Sequence, residues 1–121
     1  MALVKVKRLR PGALLPQRAT PGASGLDLFA WVGEPGYLWL GRQPLLVPTG
    51  IALELPPGTE AQVRPRSGLS AQGVGVTWGT IDSDYRGEVL VTMYLFGTLP
   101  RFKVRHGDRI AQLVEIGRAH V

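Results

Sequence analysis

No cysteine occurs in the 121 residues, so neither a disulfide framework nor a thiolate-bound metal can exist in this chain. Histidine is nearly as scarce. His106 and His120 are the only two, too few to build a structural zinc centre alone, so any metal has to be held by oxygen. Long apolar runs are missing: no stretch approaches the roughly 18 residues of a membrane span, and the N-terminal MALVKVKRLR lacks the continuous apolar centre of a signal peptide. The cytoplasm is the expected compartment, and no membrane partner is expected. Runs of like charge are also absent. A formal charge of +5 is spread over Lys5, Lys7, Arg8, Arg10, Arg64, Arg66, Arg86, Arg101, Lys103, Arg105 and Arg109, which reads as solvated surface and does not call for nucleic acid. Trp31, Trp39 and Trp78 are dispersed as well, whereas a nucleic-acid-binding β module groups its aromatics with its basic residues. A small anionic ligand suits this balance.

What the chain does have is punctuation. Its 16 glycines and 10 prolines leave few stretches of ten in which a helix can run uninterrupted. The segments LVKVKRL, GLDLFA, LLVPTGIALEL, EAQVRP, VGVT, GEVLVTMYLF and RIAQLVEI read as strands by β-branched content or alternation. PGA, EPGY, PPGT, SGL and HGD read as turns between them. With 45% hydrophobic and 19% charged residues the chain should fold, and its length allows one domain that buries about two-thirds of the unfolded surface. Seven or more short strands in that length predict an antiparallel sandwich, jelly roll or small barrel. With no linker or repeat, the chemistry has to sit in loops on one rigid β scaffold.

Four loops carry candidate chemistry. In ATPGASGLDLFA, Asp27 opens an apolar strand, where it either satisfies turn N–H groups or holds a metal-bound water. In RPRSGLSAQGV, Pro65 fixes the entry, Arg66 offers a bidentate guanidinium, Ser67 a hydroxyl and Gly68 an unobstructed N–H. These are the parts of a phosphate cradle, or of a type II turn with an exposed arginine. In GTIDSDYRGE, Asp82 and Asp84 alternate and would share a side if the segment is extended. One of them then acts as a base, or both cap a hairpin on which Tyr85 packs. In HGDRIAQLVEI, alternation groups Gln112 with Ile110 and Val114, so it is either bonded to backbone or lines a polar pocket.

In this order, ASGLDL, RPRSGLS, GTIDSDYRGE and GDRIAQL resemble the first four of the five motifs of the homotrimeric dUTPase family, and VPTGIALELPPGTEAQV is similar as well. The resemblance runs from about Ala19 to Val114. It implies an all-β jelly-roll β-barrel over residues 1–114, assembled as a homotrimer with active sites at subunit junctions. It also implies hydrolysis of dUTP to dUMP and pyrophosphate with Mg2+. On this resemblance Asp82 orients and deprotonates the water that attacks the α-phosphorus, and Tyr85 lies against the deoxyribose. Arg66, Ser67 and Gly68 contact phosphates with Gln112 nearby, and Asp27 holds magnesium through water. Main-chain groups of the hairpin leading into Asp82, at Gly79 and Ile81, read uracil. Two alternatives stand beside it. A dCTP deaminase of the same fold needs a glutamate on the strand after the third motif, where Thr92 aligns. A non-catalytic nucleotide-binding trimer has no evident need for Asp82, Tyr85, Arg66 and Ser67 together.

The sequence departs from the family pattern in two places. The stretch from Pro65 to Asp82 is short, and Val76, Thr77 and Trp78 stand where an asparagine is common. After the fourth motif the family continues into a glycine-rich tail that grips the γ-phosphate. Here Glu115 to Val121 read EIGRAHV, the translation of a common sequencing adapter, and are expected to be a non-native tail. On that expectation the 121-residue chain binds dUTP but turns it over weakly, because nothing covers the site. Pyrophosphate release at the rate of a variant given a glycine-rich tail would contradict it.

Overall fold

The glycines and prolines divide the chain into short extended pieces. The structure, a computed structural model, describes residues 4–117. In chain order its elements are β1 Lys5–Arg8, β2 Leu26–Phe29, β3 Tyr37–Leu40, β4 Leu45–Glu54, β5 Thr59–Arg64, α1 Ser67–Ala71, β6 Val74–Val76, β7 Gly79–Ile81, β8 Glu88–Leu95, β9 Phe102–Arg105 and β10 Arg109–Gly117. Two four-stranded antiparallel sheets, ordered β1-β4-β8-β6 and β2-β10-β5-β7, enclose the core, and β3 pairs with β9 in a separate ribbon. This is the all-β jelly-roll architecture that the family resemblance implies and one of the three that the strand pattern allows. No helix among the described residues is long and apolar enough to cross a membrane.

Alternation decides which way each strand faces. Along β8, Val89, Val91, Met93 and Leu95 are buried while Leu90 points outward. Along β5, Ala61 and Val63 join the core and leave Gln62 and Arg64 on the outer face. Each large apolar side chain buried in this way contributes about 1.5–3 kcal/mol. All seven predicted strand segments contain strands. The structure adds β3, β7 and β9, and it replaces the predicted SGL turn by the short helix α1. The segment set apart in sequence at Glu115 begins inside β10: Glu115, Ile116 and Gly117 lie opposite Ala61, Glu60 and Thr59. Residues 118–121 lie outside the described residues.

The longest strand is broken by its own residues. Pro48 cannot donate to a ladder, and the pairing of β4 with β8 shifts between Pro48 and Ala52. Gly50 sits in that bulge at φ +72°, and a Cβ there would lie 2.9 Å from the Ala13 Cβ, so glycine is required on both counts. The bulge frees the Gly50 N–H from the ladder, and the Glu88 carboxylate accepts it at 2.8 Å. Arg10 completes the arrangement, donating from Nε at 3.2 Å and Nη2 at 3.0 Å to the two Glu88 oxygens.

Partial burial pushes the Glu88 carboxyl up. Hydrogen bonds from Arg10 and the Gly50 N–H, with the charge of Arg10, reverse this and hold it below the ordinary carboxylate value. A group with a depressed folded pKa adds stability that is present above the unfolded value of 4.5 and lost as pH falls through the folded one. Glu88→Gln leaves Gly50 a neutral acceptor and is expected to cost about 1 kcal/mol at pH 7, lowering Tm by roughly 4 °C. Thermal melts should show the gap from wild type closing as pH drops below the unfolded value; an equal gap at neutral and acid pH contradicts this role.

Candidate active site

Three of the four loops converge, and β10 is what brings them together. It pairs with β2 on one edge and β5 on the other, so Gln112 lies directly opposite both Asp27 and Arg64. Opposed residues of an antiparallel ladder share a face, which puts Asp27, Gln112 and Arg64 in one row. The pairing with β2 slips between Arg109 and Ala111. This bulge corrects the alternation expected from sequence, because Ile110 is buried together with Ala111 and Leu113 instead of sharing a face with Gln112.

Asp27 is only 3% exposed. Its backbone exchanges both hydrogen bonds with Gln17, at 2.6 and 3.2 Å, which fixes its Cα. Its carboxylate lies between two guanidiniums, with Arg66 Nε 3.7 Å from Oδ1 and Arg109 Nε 3.7 Å from Oδ2. Both separations exceed hydrogen-bond length, so these are charge contacts, and the buried Oδ2 has no hydrogen-bond partner. Arg109 was not singled out in the sequence; its place at the head of β10, three residues before Gln112, was the available signal.

Arg66 also precedes α1. It takes extended backbone angles, φ −92° and ψ 134°, and the helix that follows starts without a side-chain cap. First-turn N–H groups of a helix have no intrahelical acceptor. Ser67 and Gly68 are exposed there, so the loop presents a hydroxyl, free N–H groups and a guanidinium together. A recess of about 280 Å³ beside it is lined by Arg66, Leu69, Phe102, Val104, Asp108 and Arg109.

The remaining loop stands apart. Gly79 and Ile81 belong to β7, the edge strand of the second sheet, and Asp82 follows immediately. The segment beyond is not extended as expected: the Tyr85 N–H donates to the Asp82 carbonyl at 3.0 Å, closing a turn. Asp82 and Asp84 are both exposed and line a shallow recess of about 230 Å³ with Thr59, Glu60 and Ser83. On the other side, a recess of about 220 Å³ is bordered by Val63, Gly79, Ile81, Asp82, Tyr85 and Leu90. The Tyr85 hydroxyl donates to the Glu88 carbonyl at 2.9 Å, and its ring covers Gly87, where a Cβ would meet the ring at 2.7 Å.

Within one chain the two halves do not meet. Asp27 and the turn of Asp82 lie at opposite edges of a sheet ordered β2-β10-β5-β7, three interstrand steps of about 4.8 Å apart. A further recess, about 370 Å³ beside β1, is lined by Lys5, Lys7, Leu9, Glu54 and Arg86 among others. Apart from Arg86 it takes nothing from the four loops.

The family model dUTPase matches residues 12–120. Among curated relatives, deoxyuridine 5'-triphosphate nucleotidohydrolase of Anaeromyxobacter sp. is 56% identical over 117 residues, covering 92% of this chain and 77% of that protein. The protein of the same name from Treponema denticola is 51% identical over 110 residues, covering 88% and 75%. Among solved structures, a mutant dUTPase from phage phi11 of S. aureus, described with a structural Mg(II) ion, superposes with TM-score 0.85 at 20% identity, over 98% of this chain and 93% of that one. A Staphylococcus bacteriophage 80alpha dUTPase with dUpNHpp gives 0.84 at 22% identity, over 98% and 85%. At these identities the structures speak for the fold alone.

The buried carboxylate should hold α1 through Arg66. Asp27→Asn is expected to cost about 1 kcal/mol, the value being small because both guanidiniums are a third to a half exposed, and to speed amide exchange in Ser67–Ala71. Unchanged exchange across that helix would show that Asp27 does not position the loop.

Proposed function

The chain belongs to the dUTPase family, and from that premise we propose that it hydrolyses dUTP to dUMP and pyrophosphate, with Asp82 as the base. Asp82 takes a proton from a water whose oxygen attacks the α-phosphorus; the bond from that phosphorus to the bridging oxygen breaks and pyrophosphate leaves. A positioned base of this kind supplies about 10²–10⁴-fold in rate. The exposure of Asp82 on a closed turn beside the recess of Tyr85 supports that role.

Each remaining residue has a part that its surroundings favour. Arg66, the Ser67 hydroxyl and the Gly68 N–H bind phosphate oxygens. The Tyr85 hydroxyl is committed to the Glu88 carbonyl, so only its ring faces the sugar, and a 2′-hydroxyl finds bulk there and no hydrogen-bond partner. As an edge strand, β7 keeps main-chain groups that β5 does not use. Those around Gly79 and Ile81 read the uracil edge.

Mg2+ fits this site. The unpartnered Asp27 Oδ2, in a row with Gln112, suits an ion held through one of its waters. No cluster of three or more acidic or histidine side chains forms a protein cage among the described residues, and magnesium is commonly held by one or two carboxylates plus substrate phosphates. When bound, the ion neutralises phosphate charge and favours attack at phosphorus.

The observation that carries this reading is the separation of Asp82 and Tyr85 from Asp27, Arg66 and Gln112 on opposite sheet edges. A second copy supplies one half, so that base-reading and phosphate-binding groups face each other across a subunit junction of a homotrimer. The outer face of the first sheet offers a surface for that assembly: Leu46 and Phe96 are 59% and 60% exposed, and the exposed Leu90 lies opposite Pro48 on its two central strands.

Two readings compete with this one. A dCTP deaminase finds no carboxylate on β8 beyond Glu88, which is committed to Gly50 and Arg10. A non-catalytic trimer would keep the cradle without the base. Asp82→Asn is expected to cut pyrophosphate release from dUTP by about 10²-fold or more while equilibrium binding of dUTP persists. Turnover unchanged in that variant would remove Asp82 from the base role, and ammonia release from dCTP without pyrophosphate would establish the deaminase instead.

A further inference from the structure

The tryptophans dispersed in sequence are not dispersed from the basic residues in space. Each carries an arginine over its ring: Arg10 at 4.7 Å from the Trp31 centroid, Arg64 at 5.2 Å from Trp78 and Arg101 at 4.0 Å from Trp39. The first two lie beside elements already described. The third belongs to the β3–β9 ribbon, whose outer face has no part in the site.

That face follows from register. Tyr37 lies opposite Arg105 and Trp39 opposite Lys103, while Leu38 and Leu40 oppose Val104 and Phe102 on the other side. The inner side chains join or pack on the core. On the outer side Tyr37 and Trp39 are 39% and 42% exposed, with their rings edge to face at 6.2 Å. Lys103 Nζ lies 4.6 Å from the Tyr37 ring and 5.0 Å from the Trp39 ring. Among the described residues Arg101, Lys103 and Arg105 form no ion pair with a carboxylate. The nearby Asp108 is turned to the Arg105 backbone N–H at 2.8 Å. Two aromatic rings and three cations thus share one face, on a chain of net charge +5.

We infer that this face binds single-stranded nucleic acid. Its cations recur at every second residue from Arg101, just before β9, to Arg105 at its end, about 6.8 Å apart where the chain is extended, a spacing suited to following a flexible row of phosphates. Its rings recur in the same way on β3, suited to stacking successive unpaired bases without regard to their identity. On binding, Arg101 and Lys103 move from ring to phosphate, and a base takes the ring face they leave. An acidic polypeptide would use the cations and leave the two rings without purpose. A duplex offers its phosphates but keeps its bases stacked away from the rings.

Fluorescence anisotropy of the full chain with a labelled short oligodeoxyadenylate tests this. Binding at low salt is expected to weaken with a log–log slope of about −2, the value for three phosphate contacts on a single strand. Trp39→Ala should weaken it at least about fivefold, and Arg101→Glu with Lys103→Glu should abolish it, with Tm unchanged in both. Should Trp39→Ala fail to fold, quenching of tryptophan emission by the oligonucleotide, lost in Trp39→Phe, reads the same stacking. No binding at low salt, equal binding of a duplex, equal competition by polyglutamate, or binding indifferent to these substitutions overturns the inference.

Discussion

The second sheet and the half of the candidate site around Asp27 depend on the two-sided pairing of β10. A strand held on both edges has its register fixed twice, and a slip of one residue would send every side chain to the opposite face. Fixed as it is, the strand lines up Asp27, Gln112 and Arg64 from three segments distant in sequence. The bulge after Arg109 then lets two consecutive residues, Ile110 and Ala111, enter the core, while Arg109 remains at the rim against Asp27. A regular strand would have to give up either the core contact or the charge contact.

The pair of guanidiniums around Asp27 is an incomplete arrangement. Leaving a buried carboxylate oxygen without a hydrogen bond costs about 1–3 kcal/mol, and contacts at 3.7 Å offset that only in part. Such a cost is tolerated where the group has work to do with a partner from outside the chain. Here the same carboxylate is a counter-charge for Arg66 and, in the proposed site, the acceptor for a metal-bound water. The turn of Asp82, at the far edge of the sheet, is likewise incomplete for the proposed reaction: it has a carboxylate and an aromatic wall, and its Arg86 is turned back onto the Ser83 and Tyr85 carbonyls. Each half carries what the other lacks, which is the physical case for joining them through a second copy.

Much of the fold was legible in the sequence because its longer strands announce themselves by alternation, as in EVLVTMYL, where burial follows every second residue. The elements that escaped are those defined by partners. GTI is a strand only because it pairs with Ala61 to Val63. FKVR and YLWL are too short to show a period and are strands because they pair with each other. SGLSA closes one helical turn under Arg66, where composition alone suggested a turn. In the site, residue types pointed to Asp27, Arg66, Asp82 and Gln112, but their grouping depends on register, which no local pattern contains. Arg109 escaped because an arginine at a strand's head ordinarily belongs to solvent. The pairing of tryptophans with arginines escaped because the partners of each pair are separated in sequence by at least one strand.

The third motif also shows how far a catalytic signature can be scaffold. In DSDYRGE, Asp82 and Tyr85 meet the substrate in the proposed reaction, yet the turn they form is held by residues that do not. The Tyr85 N–H closes on the Asp82 carbonyl, the Tyr85 hydroxyl binds the Glu88 backbone, and Gly87 leaves room for the ring. Glu88 in turn fastens the motif to the Gly50 bulge and to Arg10 near the N-terminus. The register of β4 on β8 shifts after Pro48, which has no N–H to donate, so a proline in a distant strand helps set where Asp82 stands. A base on an exposed turn otherwise has little to hold it at a fixed distance from a phosphorus. Anchoring through Glu88 gives the Asp82 turn the rigidity of the first sheet, while the loop of Arg66, the proposed phosphate cradle, takes its rigidity from the second.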